Sequence, residues 1–267
     1  MDENIYLELP VTELSKDDSG IHVNLVDKQV ISEISLKLII NGEEFVSLLC
    51  LNQFPEELAL GFLYNEGFID SFDDVAGIYF NERMFAVIIQ LKDGLVLNTQ
   101  ENLRSITSGC GKGLTYINPL KTNNFSPATS PITISISRIW EMMKNFNRQS
   151  EIYTVIGGVH SVLFQDKTRT ILNEDIGRHN CVDKITGILL KENRIKDATE
   201  GILFSSGRIS SEIMTKIVRL NIPVLVSRSA PTASAVRFAQ SYNITLLGYA
   251  RGTKATIYSC PERIVAE

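Results

Sequence analysis

The sequence predicts an α/β protein, α+β when the whole chain is counted. A smaller β-rich N-terminal part precedes a larger part in which strands and helices alternate. Three observations carry this prediction. After residue 131, short apolar runs alternate with stretches whose apolar positions recur at helical spacing, as in a sheet with helices on its faces. Before residue 121, β-rich runs are separated by Asn-Gly and Asp-Gly turns. Between them KTNNFSPATSP, residues 121–131, is polar and proline-bearing, the composition of a linker. The expected domains are 1–125 and 126–267.

Residues 21–50 form β-rich runs, with Asn41-Gly42 as a hairpin turn between SLKLII and EEFVSLL. In FPEELALGFLYNEGF, Pro55 suits a first helical position and Gly67 the position past a helix end. Leu58, Phe62 and Leu63 would be its buried stripe. MFAVIIQL at 84–91 predicts a strand, and Asp93-Gly94 turns into a second, LVLNT. Ile136, Ile139, Trp140 and Met143 share one helical face. YTVIGGVHSVLF is strand-like around a Gly-Gly break, and TRTILNED is a strand. Val182, Ile185 and Leu189 mark a helix, and GILFSSG a strand. Ile213, Ile217 and Leu220 mark a helix, with Ser210 or Ser211 as its N-cap. PVLVS, ITLLGYA and ATIYS are strands, with TASAVRFAQSYN a helix between the first two. This alternation implies right-handed crossovers and a largely parallel sheet.

The chain has 267 residues, 44% hydrophobic and 21% charged, with a net charge of −5. That is ordinary globular composition, and the acidic balance argues against general nucleic-acid binding. MDENIYLELP has no apolar run, so no signal peptide is expected. No stretch reaches the roughly 18 apolar residues of a membrane span. The four cysteines, at 50, 110, 181 and 260, show no paired spacing. A cytoplasmic protein with reduced thiols is expected. Cys50, Cys181 and Cys260 adjoin apolar runs and suit packing. Cys110 is different: in TSGCGKG it lies between Gly109 and Gly111, followed by Lys112 and Gly113. The glycines predict a mobile loop presenting a thiol, and the lysine favours its thiolate.

In open α/β sheets, ligands bind beyond the carboxyl ends of the strands. TRTIL is followed by NEDIGRHN, with Arg178 and His179. GILF is followed by Ser205, Ser206, Gly207 and Arg208. PVLV leads to Ser227, Arg228 and Ser229, and ITLLG to Tyr249, Arg251 and Lys254. Four successive strand ends deliver an arginine, and several open a helix whose N–H groups favour anions. Guanidinium forks match phosphate oxygens. Each arginine alone is compatible with a solvated loop or an ion pair; together they predict a crevice for a phosphorylated ligand. Glu174 and Asp175 could neutralise Arg178 and make it structural. No metal site is expected, because a zinc deaminase needs H-x-E and P-C-x-x-C, whereas His160 precedes Ser161-Val162 and no C-x-x-C exists. A hydrolytic Cys110–histidine pair stays open on spacing alone. Neither G-x-G-x-x-G nor a P-loop is present.

ELALGFLYNEGFI, SGCGKG, GGVHSVLF, NEDIGRHNCVDKITG, SSGRISSEI, PVLVSRSAPT and GYARGTKATIY resemble, in order, segments of the formate dehydrogenase accessory protein family (FdhD/NarQ). The likeness runs from about residue 30 to 262, and EDIGRHN, SGRISSEI and SRSAPT together are highly specific. The resemblance implies a cytoplasmic sulfur carrier, a sulfurtransferase with a persulfide intermediate. Such a protein takes sulfur from a cysteine desulfurase and passes it to the molybdenum of bis(molybdopterin guanine dinucleotide). The cofactor then enters the formate dehydrogenase apoenzyme. It also implies a cytidine-deaminase-like three-layer larger domain without zinc, a homodimer, and no permanent cofactor. Cys110 matches the persulfide cysteine. Tyr249, Ala250, Arg251, Gly252, Thr253 and Lys254 match the family's cofactor-binding stretch, and Ser206, Arg208, Arg228 and Ser229 would line the same crevice. Many members carry C-G-x-C-G in the loop. Here Gly113 stands at the second cysteine's place, which is compatible with a single persulfide but not with a disulfide inside the motif. Two other readings remain: a chaperone that binds the cofactor and moves no sulfur, and a cysteine hydrolase acting on a nucleotide-like substrate.

Overall fold

The computed structural model describes residues 5–95, 103–106, 114–117 and 125–266, the two short middle segments by backbone alone. The chain opens with a long antiparallel hairpin, β1 (Tyr6–Asp17) and β2 (Gly20–Ile31). Strand structure therefore begins earlier than residue 21. A second hairpin joins β3 (Ile34–Ile40) to β4 (Glu43–Cys50). Its Asn41 and Gly42 take φ of 52° and 89°, as a two-residue type I′ turn requires. Helix α1 (Pro55–Asn65) begins at its proline, and Gly67 follows at φ 78°. Strands β5 (Val75–Asn81) and β6 (Ala86–Leu91) complete a four-stranded sheet, β4-β3-β6-β5. Leu36, Leu38, Val87 and Ile89 pack there against Leu58, Phe62 and Leu63, the stripe the spacing predicts. The strand expected at LVLNT falls, beyond Leu95, outside the described residues. Strands β7 (Leu103–Ile106) and β8 (Leu114–Ile117) pair antiparallel.

Strand β9 (Ile134–Ser135) leads into α2 (Ile136–Gln149), whose N-terminus is capped by Ser135 Oγ on the Arg138 N–H at 3.1 Å. Residues 153–155, expected in a strand, instead belong to the short helix α3 (Glu151–Val155). The cause is tertiary. The Glu174 carboxylate accepts the N–H groups of Ile152 and Tyr153, each at 3.0 Å, and so caps the helix from a neighbouring strand. Gly157 and Gly158 then turn the chain at positive φ into β10 (His160–Gln165). There follow β11 (Thr170–Asp175), α4 (Arg178–Lys191), β12 (Ile202–Ser205), α5 (Ser211–Leu220), β13 (Val224–Ser227), α6 (Ala233–Ser241), β14 (Thr245–Arg251) and β15 (Lys254–Ser259). Ser210 caps α5, and Thr232 caps α6. Strand β16 (Ile264–Val265) returns to pair with β9.

Six strands form one sheet in the order β11-β10-β12-β13-β14-β15. It is mixed, which corrects the expectation of a largely parallel sheet. β12, β13 and β14 are parallel, whereas β10 and β15 run the other way. The connections explain it. β10 and β11 are joined by a tight turn in which the Asp166 carboxylate accepts the N–H groups of Thr168 and Arg169. β14 and β15 are joined through Gly252 at φ 57°. Neither link leaves room for a crossover helix. β11 runs with β12 to β14, so four strands still end on one edge. On one face, Val182, Ile185, Ile213 and Ile217 of α4 and α5 cover Phe164, Leu203 and Leu225. On the other, Ile139, Met143 and Phe146 of α2 cover Phe204, Val226 and Leu247. No helix among the described residues is long and apolar enough to cross a membrane.

Helix α1 is buried on both sides, because α4 packs against the side away from its own sheet. A Cβ on Gly61 would lie 1.7 Å from the Asp183 carbonyl oxygen, and one on Gly187 would lie 1.9 Å from that of Glu57. The helices meet backbone to backbone, and only glycine fits at either point. Polar groups fix the register. Asn65 Nδ2 donates to Asp183 Oδ1 at 2.7 Å, and Lys216 Nζ reaches both Asp183 oxygens at 2.7 Å. Replacing Gly187 with Ala is expected to cost about 3 kcal/mol, the upper range for overpacking, as the helices are forced apart. Gly77→Ala, where nothing lies within 4 Å, should stay within about 0.5 kcal/mol of the parent. Urea denaturation measures both, and equal stabilities would refute the close-contact account.

Candidate functional site

The edge where β11 to β14 end carries the residues of interest, together with the starts of β10 and β15. Its loops are bound to one another by the side chains that end the strands. Ser206 Oγ accepts the Ser161 N–H at 2.9 Å, and the Ser206 N–H donates to the Ser161 carbonyl at 3.0 Å. Ser205 Oγ accepts the Gly207 N–H at 3.2 Å. Ser227 Oγ donates to the Gly207 carbonyl at 2.7 Å and accepts the Ser229 N–H at 2.9 Å. The Arg228 N–H donates to the Ser205 carbonyl, and the Tyr249 N–H to that of Ser229. Arg251 Nε donates to the Arg228 carbonyl at 2.8 Å. Backbone groups that would otherwise be orphaned at three strand ends are thus satisfied.

The loops bearing Ser206, Arg208, Arg228, Ser229, Tyr249 and Arg251 are brought together in this way. Arg208 is exposed, and the Arg228 guanidinium lies 5.9 Å from the centre of the Tyr153 ring. Among the described residues, none of Arg208, Arg228, Arg251 and Lys254 is ion-paired with a carboxylate. Tyr249 is half exposed at φ 53°, beside Gly248, where a Cβ would come within 2.9 Å of Pro231. Gly252, Thr253 and Lys254 form the exposed turn into β15. Ala250 departs from the expectation. Its methyl is buried against the α2 layer, which leaves only its backbone for a ligand. Cys110, with Lys112 and Gly113, lies outside the described residues. Glu174 and Asp175 do not serve Arg178 in the way the sequence suggested. Glu174 caps α3, and Asp175 pairs with Lys184 at 2.6 Å.

Sequence reading passed over Glu212 and Tyr153. Glu212 is in the first turn of α5, with its Oε2 3.2 Å from His179 Nε2. Its signal was the spacing in SGRISSEI, which puts an acid just after the Ser210 cap. Tyr153 was hidden by the strand assignment. His160 Nδ1 lies 3.5 Å from Ser206 Oγ, and a Cβ on Gly207 would meet both His160 and Arg178. Burial pushes the His160 imidazole below its ordinary value, and Arg178 and His179 reinforce this. Burial does the same to His179, outweighing the hydrogen-bonded Glu212 carboxylate, and Lys216 and Arg178 reinforce it. Glu212 is held below the usual carboxylate range by the facing His179 and by Arg178 and Lys216. The described thiols are all pushed up: Cys50 by burial to about 12, Cys181 by burial and Asp175, and Cys260 by burial and Glu262. Cys260 is half-buried, less enclosed than its apolar neighbours suggested.

Because both imidazoles are depressed, the unfolded chain takes up protons at a pH where the folded chain does not. Stability should therefore fall as pH drops through the ordinary histidine value of 6.5 towards the folded one. Glu212 contributes in a separate window. Its stabilisation is present above its ordinary value of 4.5 and is lost as pH falls through the lower folded value. Urea midpoints at about pH 7.5 and about pH 5.5 should differ clearly in the parent and much less in a His160→Asn, His179→Asn double variant. An undiminished difference in the variant would clear the histidines of this role.

Comparison with known proteins places the chain. A family model described as FdhD/NarQ family matches residues 31–265. A protein from Bacillus subtilis (strain 168) named sulfur carrier protein FdhD is 34% identical over 245 residues, covering 91% of this chain and 92% of that protein. One of the same name from Staphylococcus aureus (strain MRSA252) is 33% identical over 268 residues, covering 99% and 98%. Among solved structures, a candidate formate dehydrogenase accessory protein from Desulfotalea psychrophila superposes with a TM-score of 0.76. It is 21% identical, with 97% of this chain and 100% of that one covered, and so shows the shared fold. By the extent of these matches the chain belongs to the FdhD/NarQ family.

Proposed function

We propose that this protein is a cytoplasmic sulfur carrier that serves formate dehydrogenase. Cys110 accepts sulfur from a cysteine desulfurase as a persulfide. It then transfers that sulfur to the molybdenum of bis(molybdopterin guanine dinucleotide), bound as substrate, before the cofactor enters the apoenzyme. The observation that carries the reading is near full-length similarity to proteins named sulfur carrier protein FdhD. The geometry supports it in two ways. Cys50, Cys181 and Cys260 are all pushed towards the unreactive thiol form, which leaves Cys110, beside Lys112, as the thiol suited to form a thiolate. The edge bearing Arg208, Arg228, Arg251 and Lys254, with the N-termini of α5 and α6, suits the phosphates of a nucleotide-bearing cofactor.

In this reading residues 1–125 form the smaller unit that ends in the Cys110 loop. Residues 126–267 form a cytidine-deaminase-like domain with the cofactor crevice, and two copies form a homodimer. Arg251 would present its guanidinium already oriented by the Arg228 carbonyl. Holding the cofactor beside the persulfide would supply most of the rate enhancement through proximity. With Gly113 in place of a second loop cysteine, no neighbouring thiol in the motif can resolve the persulfide, so it should persist until a partner removes it.

Incubation with a cysteine desulfurase and cysteine should add the mass of one sulfur, mapped to Cys110. Cys110→Ser should lose both that gain and formate dehydrogenase activation. Activation retained by Cys110→Ser would instead favour a chaperone that binds the cofactor and moves no sulfur. Guanosine diphosphate should bind the parent, and more weakly as salt rises. Arg251→Ala or Lys254→Ala should cost about 1.5–3 kcal/mol of that affinity, the range for a charged hydrogen bond. Calorimetry showing unchanged affinity in both variants would remove these residues from the site.

A further inference from the structure

Tyr153 stands beside the arginine edge, and we propose that it is a positioning residue for the anion site: its ring holds the Arg228 guanidinium ready to receive phosphate oxygens. This role rests on the reading of the edge as a phosphate site, and it adds the side chain that sets how well Arg228 performs there.

The fold fixes Tyr153 to the edge. Helix α3 has five residues, far too few to persist in water by itself. The buried Glu174 carboxylate holds it, accepting the N–H groups of Ile152 and Tyr153. Glu174 Oε1 also accepts from Ser161 Oγ at 3.0 Å, and the Ser161 N–H donates to Ser206 Oγ at 2.9 Å. A continuous run of hydrogen bonds therefore ties the Tyr153 backbone to the loop after β12. Tyr153 is 41% exposed, so filling the core does not account for its ring. That ring meets Arg228, whose guanidinium carbon lies over it, 5.9 Å from its centre.

Arg228 is anchored at its backbone. Its N–H donates to the Ser205 carbonyl, and its own carbonyl accepts from Arg251 Nε. Its guanidinium pairs with no carboxylate among the described residues. A long side chain held by nothing must be ordered when a ligand arrives, which weakens binding. A carboxylate would order it, but would occupy the donor fork and cancel the charge. An aromatic face orders a guanidinium through the ring quadrupole and leaves both the charge and the in-plane N–H groups for an anion. The same pairing elsewhere in the molecule is structural. Arg219 lies 4.5 Å over the Tyr64 ring, yet its Nη2 donates to the Ile69 carbonyl and to the Asp70 carboxylate. Arg228 has the ring without the carboxylate, which leaves the anion to come from outside the chain.

Calorimetry on the full chain, with guanosine diphosphate and with inorganic pyrophosphate, tests this role. Tyr153→Leu should weaken both ligands about two- to fivefold, the worth of an exposed cation–π pair. Tyr153→Phe, which keeps the ring, should bind both as the parent does. In an Arg228→Ala background, where both ligands already bind more weakly, Tyr153→Leu should cost nothing further. Should Tyr153→Leu fail to fold, Tyr153→Gln at the same exposed position carries the comparison. Unchanged affinity in the folded variant, or the same loss with and without Arg228, would overturn the proposal. A loss confined to guanosine diphosphate would overturn it too, by setting the ring against the base. So would a loss in Tyr153→Phe equal to that in Tyr153→Leu, which would assign the contact to the hydroxyl. If neither ligand binds the parent, the phosphate-site reading fails and this role with it, whereas binding that is indifferent to Tyr153 refutes this role alone.

Discussion

The backbone contact between α1 and α4 is the constraint on which the rest of the molecule depends. Two glycines, Gly61 and Gly187, let the helices approach until each backbone touches the other. That closeness excludes water and forces nearby polar groups to pair within the protein. Burial alone would push the Lys216 amine down, yet Asp183 and Glu66 hold it above its ordinary value. Removing one member of such a buried set strands the others, typically at about 3–5 kcal/mol. The contact is therefore specified twice, by shape at the glycines and by charge at Lys216.

Asp175 extends this constraint to the candidate edge. Its carboxylate accepts from the Leu51 N–H, from Asn180 Nδ2 and from Lys184 Nζ, all with little exposure to water. Asn180 in turn donates to the Leu49 carbonyl at 2.8 Å. The end of β4 is thus tied to the end of β11 and the first turn of α4. Residues that looked like partners for Arg178 are instead the joint between the N-terminal sheet and the site. The edge keeps its shape because its two sides are held by one carboxylate.

Much of this was legible in the sequence because it is encoded locally. Pro55 and Gly67 bracket α1, Asn41-Gly42 makes its turn, and Ser210 caps α5, all from signals within a few residues. The convergence of Arg208, Arg228 and Arg251 was also legible, because strand ends follow from the alternation itself. What was not legible is set by distant partners. Residues 151–155 are helical because Glu174 caps them from another strand, a fact absent from EIYTV itself. The direction of β10 depends on a tight turn at Asp166, and apolar runs carry no sign of direction. β1 escaped notice because its Leu7, Leu9 and Leu14 face solvent, against the rule that apolar alternation marks a buried face. The resemblance puts Ala250 in the cofactor-binding stretch with its neighbours, but alternation along β14 turns its side chain into the core.

The proposed anion site is consistent with an acidic chain once the carboxylates are accounted for. The net charge of −5 is a property of the whole surface, and charges farther away than about 8 Å are largely screened at physiological salt. What an anion at the edge meets is the local balance. There, Asp175 is neutralised by Lys184, Asp183 by Lys216, and Glu174 is spent on backbone N–H groups, each of them buried. Glu212 faces His179, whose imidazole burial holds below its ordinary value, so this acid is set against an imidazole rather than an amine. Arg208, Arg228, Arg251 and Lys254 have no such carboxylate partners among the described residues. Ser205 and Ser227 hold the backbone groups at these strand ends, and Arg251 Nε donates to the Arg228 carbonyl. The proposed site would owe its affinity for an anion to where the acids are committed, not to an excess of basic residues.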